Sequence, residues 1–181
     1  AGPATRSSWT AWTSPCAVAN ACCCAGRSGM GKTTVTKLIN GLIPQFEPGV
    51  ERTGEVEVCG FDPARCAMHE LARHVGSVFQ NPRSQFFNVD TTSELAFGCE
   101  NMGWAPTLID AAMAGVVVRF GLEDLLDRNL FKLSGGEKQK IACASVSAHD
   151  PQLLVLDEPA SNLDVASIRM LASIVAQWKA E

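Results

Sequence analysis

The sequence predicts an α/β fold: a mostly parallel sheet flanked by helices, with a helical subdomain inserted into it. Three observations carry this. Short apolar runs alternate with segments of helical periodicity, the pattern of a parallel sheet with crossover helices. One run, Leu153 to Leu156, is wholly apolar, as a strand buried on both faces is. Between Gln80 and Ser134 the periodicity is helical and no such run occurs, so this stretch stands apart from the sheet. At 181 residues the chain is long enough for one domain with a sizeable core.

The elements follow in order. Residues 1–17 form an atypical N-terminal segment, and no acid precedes Glu47. Val18 to Ala25 reads as a strand feeding a glycine-rich loop, despite modest β-propensity. Lys32 to Leu42 reads as a helix ended by Pro44. GEVEVCG alternates and reads as a short strand, Cys66 to Arg73 as a helix, and HVGSVFQ as a strand ending at Gln80. NPRSQFFNVDTT is a loop. Ser93 to Cys99 and Thr107 to Phe120 are helical, the second through Ile109, Met113, Val116, Val117 and Phe120 at helix spacing. Ser134 opens a helix over Gly135 to Ser147, and Val165 to Lys179 closes the chain as an amphipathic helix.

Composition bounds the function. A net charge of −4 argues against a surface built for nucleic acid. No apolar run approaches the ~20 residues of a membrane span. The eight Cys include no C-x2-C pair, so zinc spacing is missing and free thiols in a reducing cytosol are expected.

Two stretches read phosphate. GRSGMGKTT satisfies G-x4-G-K-[ST] through Gly26, Gly31, Lys32 and Thr33. Glycines let backbone amides wrap an anion, and the following helix adds its positive end. Gly26, Arg27, Ser28, Gly29, Met30, Gly31, Lys32, Thr33 and Thr34 are therefore candidate nucleotide contacts. Lys32 would reach the β- and γ-phosphates, and the Thr33 hydroxyl would hold Mg²⁺. The plainer alternative is a glycine-rich turn with a solvated lysine. A partner acid belongs at the end of a neighbouring strand, where open α/β sheets bind ligands. Asp157 in LLVLDEP supplies it for Mg²⁺. Glu158 beside it can take a proton from water, or else is an exposed loop carboxylate. The second stretch, LSGGEKQK, places Ser134, Gly135 and Gly136 at a helix start. It also fits a capping box between Ser134 and Glu137.

GRSGMGKTT, VFQNP, LSGGEKQK, LLVLDEP and SNLD occur in the order found in ATP-binding cassette (ABC) ATPases, and the resemblance runs from about Gly26 to the C-terminus. It implies a P-loop NTPase domain over 18–181 with a helical subdomain at about 82–147, using ATP and Mg²⁺. It implies two such domains, identical or not, facing head to tail. Ser134, Gly135 and Gly136 of one then contact nucleotide held by the other. Gln80 would touch Mg²⁺ or the attacking water and begin a loop that senses a membrane partner. Lys32, Gln80 and Glu158 would be catalytic, and Thr33, Gln80 and Asp157 would hold the metal. Asp164, in SNLD, matches the loop between the two active sites; a helix N-cap is an equal reading.

QNPRSQFF and SELAFG-x-EN further resemble the ATPase subunits of energy-coupling factor (ECF) importers of vitamins and of cobalt or nickel ions. A transmembrane transporter subunit is the implied partner, at the cytoplasmic face of the membrane, and no nucleic acid is expected. Phe86 and Phe87 would lie at a groove accepting a partner helix, or belong to the subdomain core. ABC ATPases of DNA repair or translation, and other P-loop NTPases such as small-molecule kinases, are the alternatives. The sequence departs from the family in two places. It has no Tyr to stack on adenine, leaving Trp9 or Trp12 as substitutes. No His stands some thirty residues beyond Glu158, since His69, His74 and His149 all precede it. The expectation is a domain incomplete in its N-terminal β part and truncated at its C-terminus, with weak MgATP binding and slow turnover.

Overall fold

In the computed structural model, residues 27, 29–47, 52–161 and 163–178 are described. The expected strand at 18–25, the segment 1–17, Trp9, Trp12, Gly26 and Ser28 lie outside them.

The apolar runs Val75–Val78 (β1) and Leu153–Leu156 (β2) pair in parallel, Val75 opposite Leu153 and Val78 opposite Leu156. Among the described residues these two strands are the whole sheet. Before them come α1 (Lys32–Ile39), α2 (Leu42–Gln45) and the single-turn α3 (Met68–Leu71). Between the strands run α4 (Thr91–Asn101), α5 (Pro106–Phe120) and α6 (Gly135–Ser147); α7 (Val165–Trp178) follows β2.

The centre of the molecule is α6. It packs against α4, α5, α7 and β1, so it is buried around much of its circumference. Ile141, Ala142, Cys143 and Ala144 have no exposed surface. A helix walled in this way has no polar face to advertise, which is why its apolar stripe is weak in the sequence. Leu95, Leu122, Leu130, Leu171 and Ile174 complete the core around it. The start of α4 is stitched to the strand-less segment leading to α6. The Thr91 hydroxyl donates to Leu125 O at 2.6 Å, Thr91 N to Arg128 O at 3.0 Å, and Leu130 N to Val89 O at 2.9 Å.

Three expectations need correction. GEVEVCG is not a strand. Cys59 (φ 51°) and Gly60 (φ 83°) turn the chain so that Val58 and Phe61 pair with each other. Arg52 forks onto Asp62 at 2.7 and 2.9 Å, closing the loop from outside and pulling the Asp62 carboxyl down to about 2. The alternation still reports burial, since Val58 is buried and Val56 packs beside it. The helix expected over Cys66 to Arg73 is only Met68–Leu71. The helix expected over Lys32 to Leu42 stops at Ile39, because Gly41 takes a left-handed φ of 71° and breaks the ladder.

Candidate functional site

Parallel register builds the acidic side of the site. Val78 and Leu156 are paired ends, so Gln80 and Glu158 each emerge two residues beyond, at the same carboxyl edge. There the Gln80 amide donates from Nε2 to Glu158 Oε2 at 3.1 Å. Ser161 holds Glu158 from the other side, its Oγ 3.3 Å from Oε2 and its amide 2.9 Å from Glu158 O. Glu158 sits at φ 46°, a left-handed conformation costing a non-glycine residue about 1–2 kcal/mol. Such strain collects at working sites, where aiming a side chain outweighs local comfort.

The basic side comes from the glycine loop and α1. Gly29 (φ 82°) and Gly31 (φ 86°) both need left-handed backbone, and a Cβ at Gly29 would point into open space. Gly31 starts α1 with no side-chain cap, and the first-turn amides of an α-helix have no partner within the helix itself. Lys32 Nζ lies 3.5 Å from Glu158 Oε1 and donates to Arg27 O at 3.2 Å. The far end of α1 is pinned to β1, where Ser77 Oγ donates to Asn40 Oδ1 at 2.7 Å. Gly29, Gly31, Lys32, Thr33, Thr34, Gln80 and Glu158 thus line one cleft of about 260 Å³. Its wall holds an ammonium, hydroxyls and one carboxylate, beside the glycine-rich backbone that starts α1. That donor set fits a polyphosphate with its divalent cation.

Other expected residues lie elsewhere. Arg27 and Met30 flank the cleft, both exposed, without lining it. Asp157 is half-buried at the end of β2, its amide bonded to Val78 O at 3.0 Å, and does not line the cleft either. Ser134, Gly135 and Gly136 are not brought to it. They form the tip of α6, closed by the reciprocal capping box: Ser134 N donates to Glu137 Oε2 at 2.7 Å, and Glu137 N to Ser134 Oγ at 3.3 Å. The hydrogen bonds from Ser134 hold the Glu137 carboxyl below its usual range. Asp164 accepts the Ser167 amide at 2.7 Å, as an N-cap of α7 would. Phe86 packs against the core, whereas Phe87 is 77% exposed and stacks on Phe97 at 4.8 Å.

Three supporting residues escaped the sequence reading. Gln85 takes the Phe79 amide on Oε1 at 3.1 Å and reaches Ala142 O at 3.5 Å, bracing the residue before Gln80 against α6. Ser161 opens SNLD, in which the sequence singles out only Asp164. Lys138 lies in LSGGEKQK and on the helical row of Ala142 and Ser145, which marks it as a core position. Its ammonium is buried beneath the tip, donating to Leu133 O and, at 3.3 Å, to Phe131 O. Burial lowers its pKa.

A family model described as ABC transporter matches residues 20–161, most of the chain. The chain belongs to the ABC transporter family. A relative from Treponema denticola, provisionally described as an ABC transporter ATP-binding protein, is 49% identical over 154 residues, 85% of this chain and 31% of its own length. One from Pyrococcus furiosus with the same description is 38% identical over 156 residues, 86% of this chain and 58% of its own. The chain therefore spans about a third to somewhat over half of these relatives. Among solved structures, cbiO1 from Clostridium perfringens, described as part of the ABC transporter complex cbiONQ, superposes with a TM-score of 0.74 at 27% identity. The match covers 86% of this chain and 60% of cbiO1. The P-loop NTPase fold of an ABC protein is thereby shown. Among the described residues of this ABC family member, no helix is long and apolar enough to cross a membrane.

Proposed function

We propose that this chain is the ATP-binding and ATP-hydrolysing subunit of an ABC importer of the ECF type, peripheral on the cytoplasmic face of the membrane. It couples MgATP binding and hydrolysis to import of a vitamin or transition-metal ion through a transmembrane subunit. One observation carries the nucleotide chemistry: Lys32, Gln80 and Glu158 converge on a glycine-walled cleft at the carboxyl edge of the sheet. The likeness to cbiO1, itself part of a transporter complex, supports the ECF reading. So do QNPRSQFF and SELAFG-x-EN. Exposed Phe87, stacked on Phe97, is the apolar element offered to the membrane partner.

The loop amides of 29–34 and the Lys32 ammonium neutralise charge developing on the transferred phosphoryl group, the largest contribution expected in this chemistry. Thr33 and Gln80, which line the cleft, would hold Mg²⁺, and Asp157, which does not line it, would do so through the ion's water shell; the ion would supply further neutralisation of phosphate charge. Glu158, aimed by Gln80 and Ser161, orients or deprotonates the attacking water. Phosphate arriving at Lys32 must take it from Glu158, which frees that carboxylate for water. Ser134–Gly136 stand apart from this cleft, so their outward amides serve the cleft of a second subunit, homologous or identical.

A mixing experiment tests the arrangement. Lys32→Ala and Ser134→Glu chains should each fail to self-associate with MgATP in sedimentation. Mixed together, they should associate, because one interface then pairs an intact loop with an intact tip. Failure of the mixture, with the parent chain associating, would sink the head-to-tail reading.

A further inference from the structure

Gly136 has a reason to be glycine that lies inside its own chain. A Cβ placed on it would stand 2.9 Å from Ser167 Cβ and nearer still to Ser167 Oγ. At Gly135 a Cβ would find only Leu163 Cδ2 at 3.9 Å, an ordinary contact. The two glycines after Ser134 are therefore not equivalent. Gly135 has room for a methyl group, whereas Gly136 is covered by the first turn of α7.

Ser167 cannot simply step aside. Its amide is tied to Asp164 Oδ1 at 2.7 Å. One and two turns on, Leu171 and Ile174 are buried in the core that encloses Ile141 and Ala144 of α6. The segment leading into this turn starts at the cleft, where Ser161 bonds Glu158 through both its hydroxyl and its amide. Lys32 thus meets Glu158 and Glu158 meets Ser161, while Leu163 and Ser167, further along the same chain, stand against Gly135 and Gly136.

We propose that Ser167 is a positioning residue for the anion-binding tip of α6. Seated in the space Gly136 leaves, it fixes the direction of the Ser134–Gly136 amides relative to the Glu158 turn of the same chain. The inference rests on the proposed role of that tip toward a second subunit, and it gives Gly136 a purpose distinct from admitting a phosphate.

The test uses the full chain and two readouts: melting temperature, and MgATP-driven association by sedimentation. Gly136→Ala should lower the melting temperature by at least about 2–4 °C and weaken association at least about tenfold. Adding Ser167→Gly to it should restore both, because the methyl group then has room. Ser167→Leu, which overfills the same seat, should weaken association about tenfold. It should leave a fluorescent ATP analogue bound at the Lys32 cleft within about twofold, a split that general destabilisation would not give. If the double variant recovers its melting temperature but not association, Gly136 serves the approaching ligand and the positioning role is overturned. If it recovers neither, or if Gly136→Ala associates like the parent, the seat itself is refuted. A parent chain that never associates with MgATP would remove the tip's role and the positioning role together, while the melting comparison would still judge the contact.

Discussion

Replacing Glu158 by Gln should tighten MgATP binding while leaving the fold nearly untouched. The structure sets both magnitudes. Glu158 pairs with Lys32 at 3.5 Å, with side chains 40% and 18% exposed. Losing so solvated a pair costs at most about 1 kcal/mol. Gln keeps an oxygen for Gln80 Nε2 and Ser161 Oγ, and it inherits the same left-handed backbone, so strain cancels between variant and parent. The melting temperature should therefore move by no more than about 2–4 °C. Binding changes because a polyphosphate now meets no carboxylate in the cleft and need not compete for Lys32. A unit charge about 4 Å away contributes about 1 kcal/mol in a water-like surrounding. That is about a fivefold gain in affinity. Titration of a fluorescent ATP analogue with Mg²⁺ at 0.15 M salt reads it, and the gain should shrink as salt rises. Phosphate release should meanwhile fall by at least about a hundredfold, the usual cost of losing a general base. Affinity that stayed level or fell would mean that Glu158 does not face the anion. A melting temperature lowered by about 8 °C or more would make Glu158 a structural residue.

Two further outcomes follow from the core. Burial raises the Cys143 thiol to about 12, so its thiolate is disfavoured while the chain is folded. An acid whose pKa is raised by folding stabilises the fold below its unfolded value near 8.5 and loses that contribution as pH climbs towards its folded value. Stability measured by urea should decline from about pH 9 upward, and Cys143→Ala should flatten the decline. In native-state alkylation mapped by mass spectrometry, Cys143 and Cys99, both without exposed surface, should label far more slowly than half-buried Cys66. Glu94 is buried and receives Phe87 N at 3.0 Å and Asn88 N at 2.9 Å on one oxygen. Glu94→Ala leaves those amides unmatched, so it should cost about 1–3 kcal/mol in urea unfolding. It should also speed hydrogen exchange at 86–89; an unchanged exchange rate there would contradict the anchoring role.

Local chemistry decided how much of this was legible. The helix at Gly135–Ser147 has the expected limits because Ser134 and Glu137 satisfy each other's backbone, a signal that needs no tertiary context. Leu153–Leu156 likewise carries its own burial in its composition. α4 starts two residues before the expected Ser93, because Asp90 caps it by accepting the Ser93 amide at 2.8 Å. That cap was written in NVDTTSE, but the run of polar residues read as loop. GEVEVCG failed differently. Its alternation sets which side chains face inward, yet a strand also needs an edge to pair with, and Arg52 clasping Asp62 folds the segment on itself instead. Of the site, the residues converging on the cleft were readable as motifs. Gln85 and Ser161 stand inside QNPRSQFF and SNLD, yet their roles were not readable there, because what they do depends on which atoms the fold brings beside them.

The same division separates the cleft from the α6 tip, the two places proposed to meet phosphate. Parallel pairing delivers whatever follows β1 and β2 to one edge, so an acid and an amide placed two residues beyond each strand must meet there. The α6 tip is positioned by other forces: the buried Lys138 gripping the carbonyls before it, the capping box, and Ser167 against Gly136. None of these contacts involves the cleft-lining residues themselves. Ile141 of α6 and Leu171 of α7 share one core, so moving the tip to the cleft of its own chain would disturb that core. Under the proposed head-to-tail arrangement, a phosphate held on a second subunit would reach the amide donors of the tip instead.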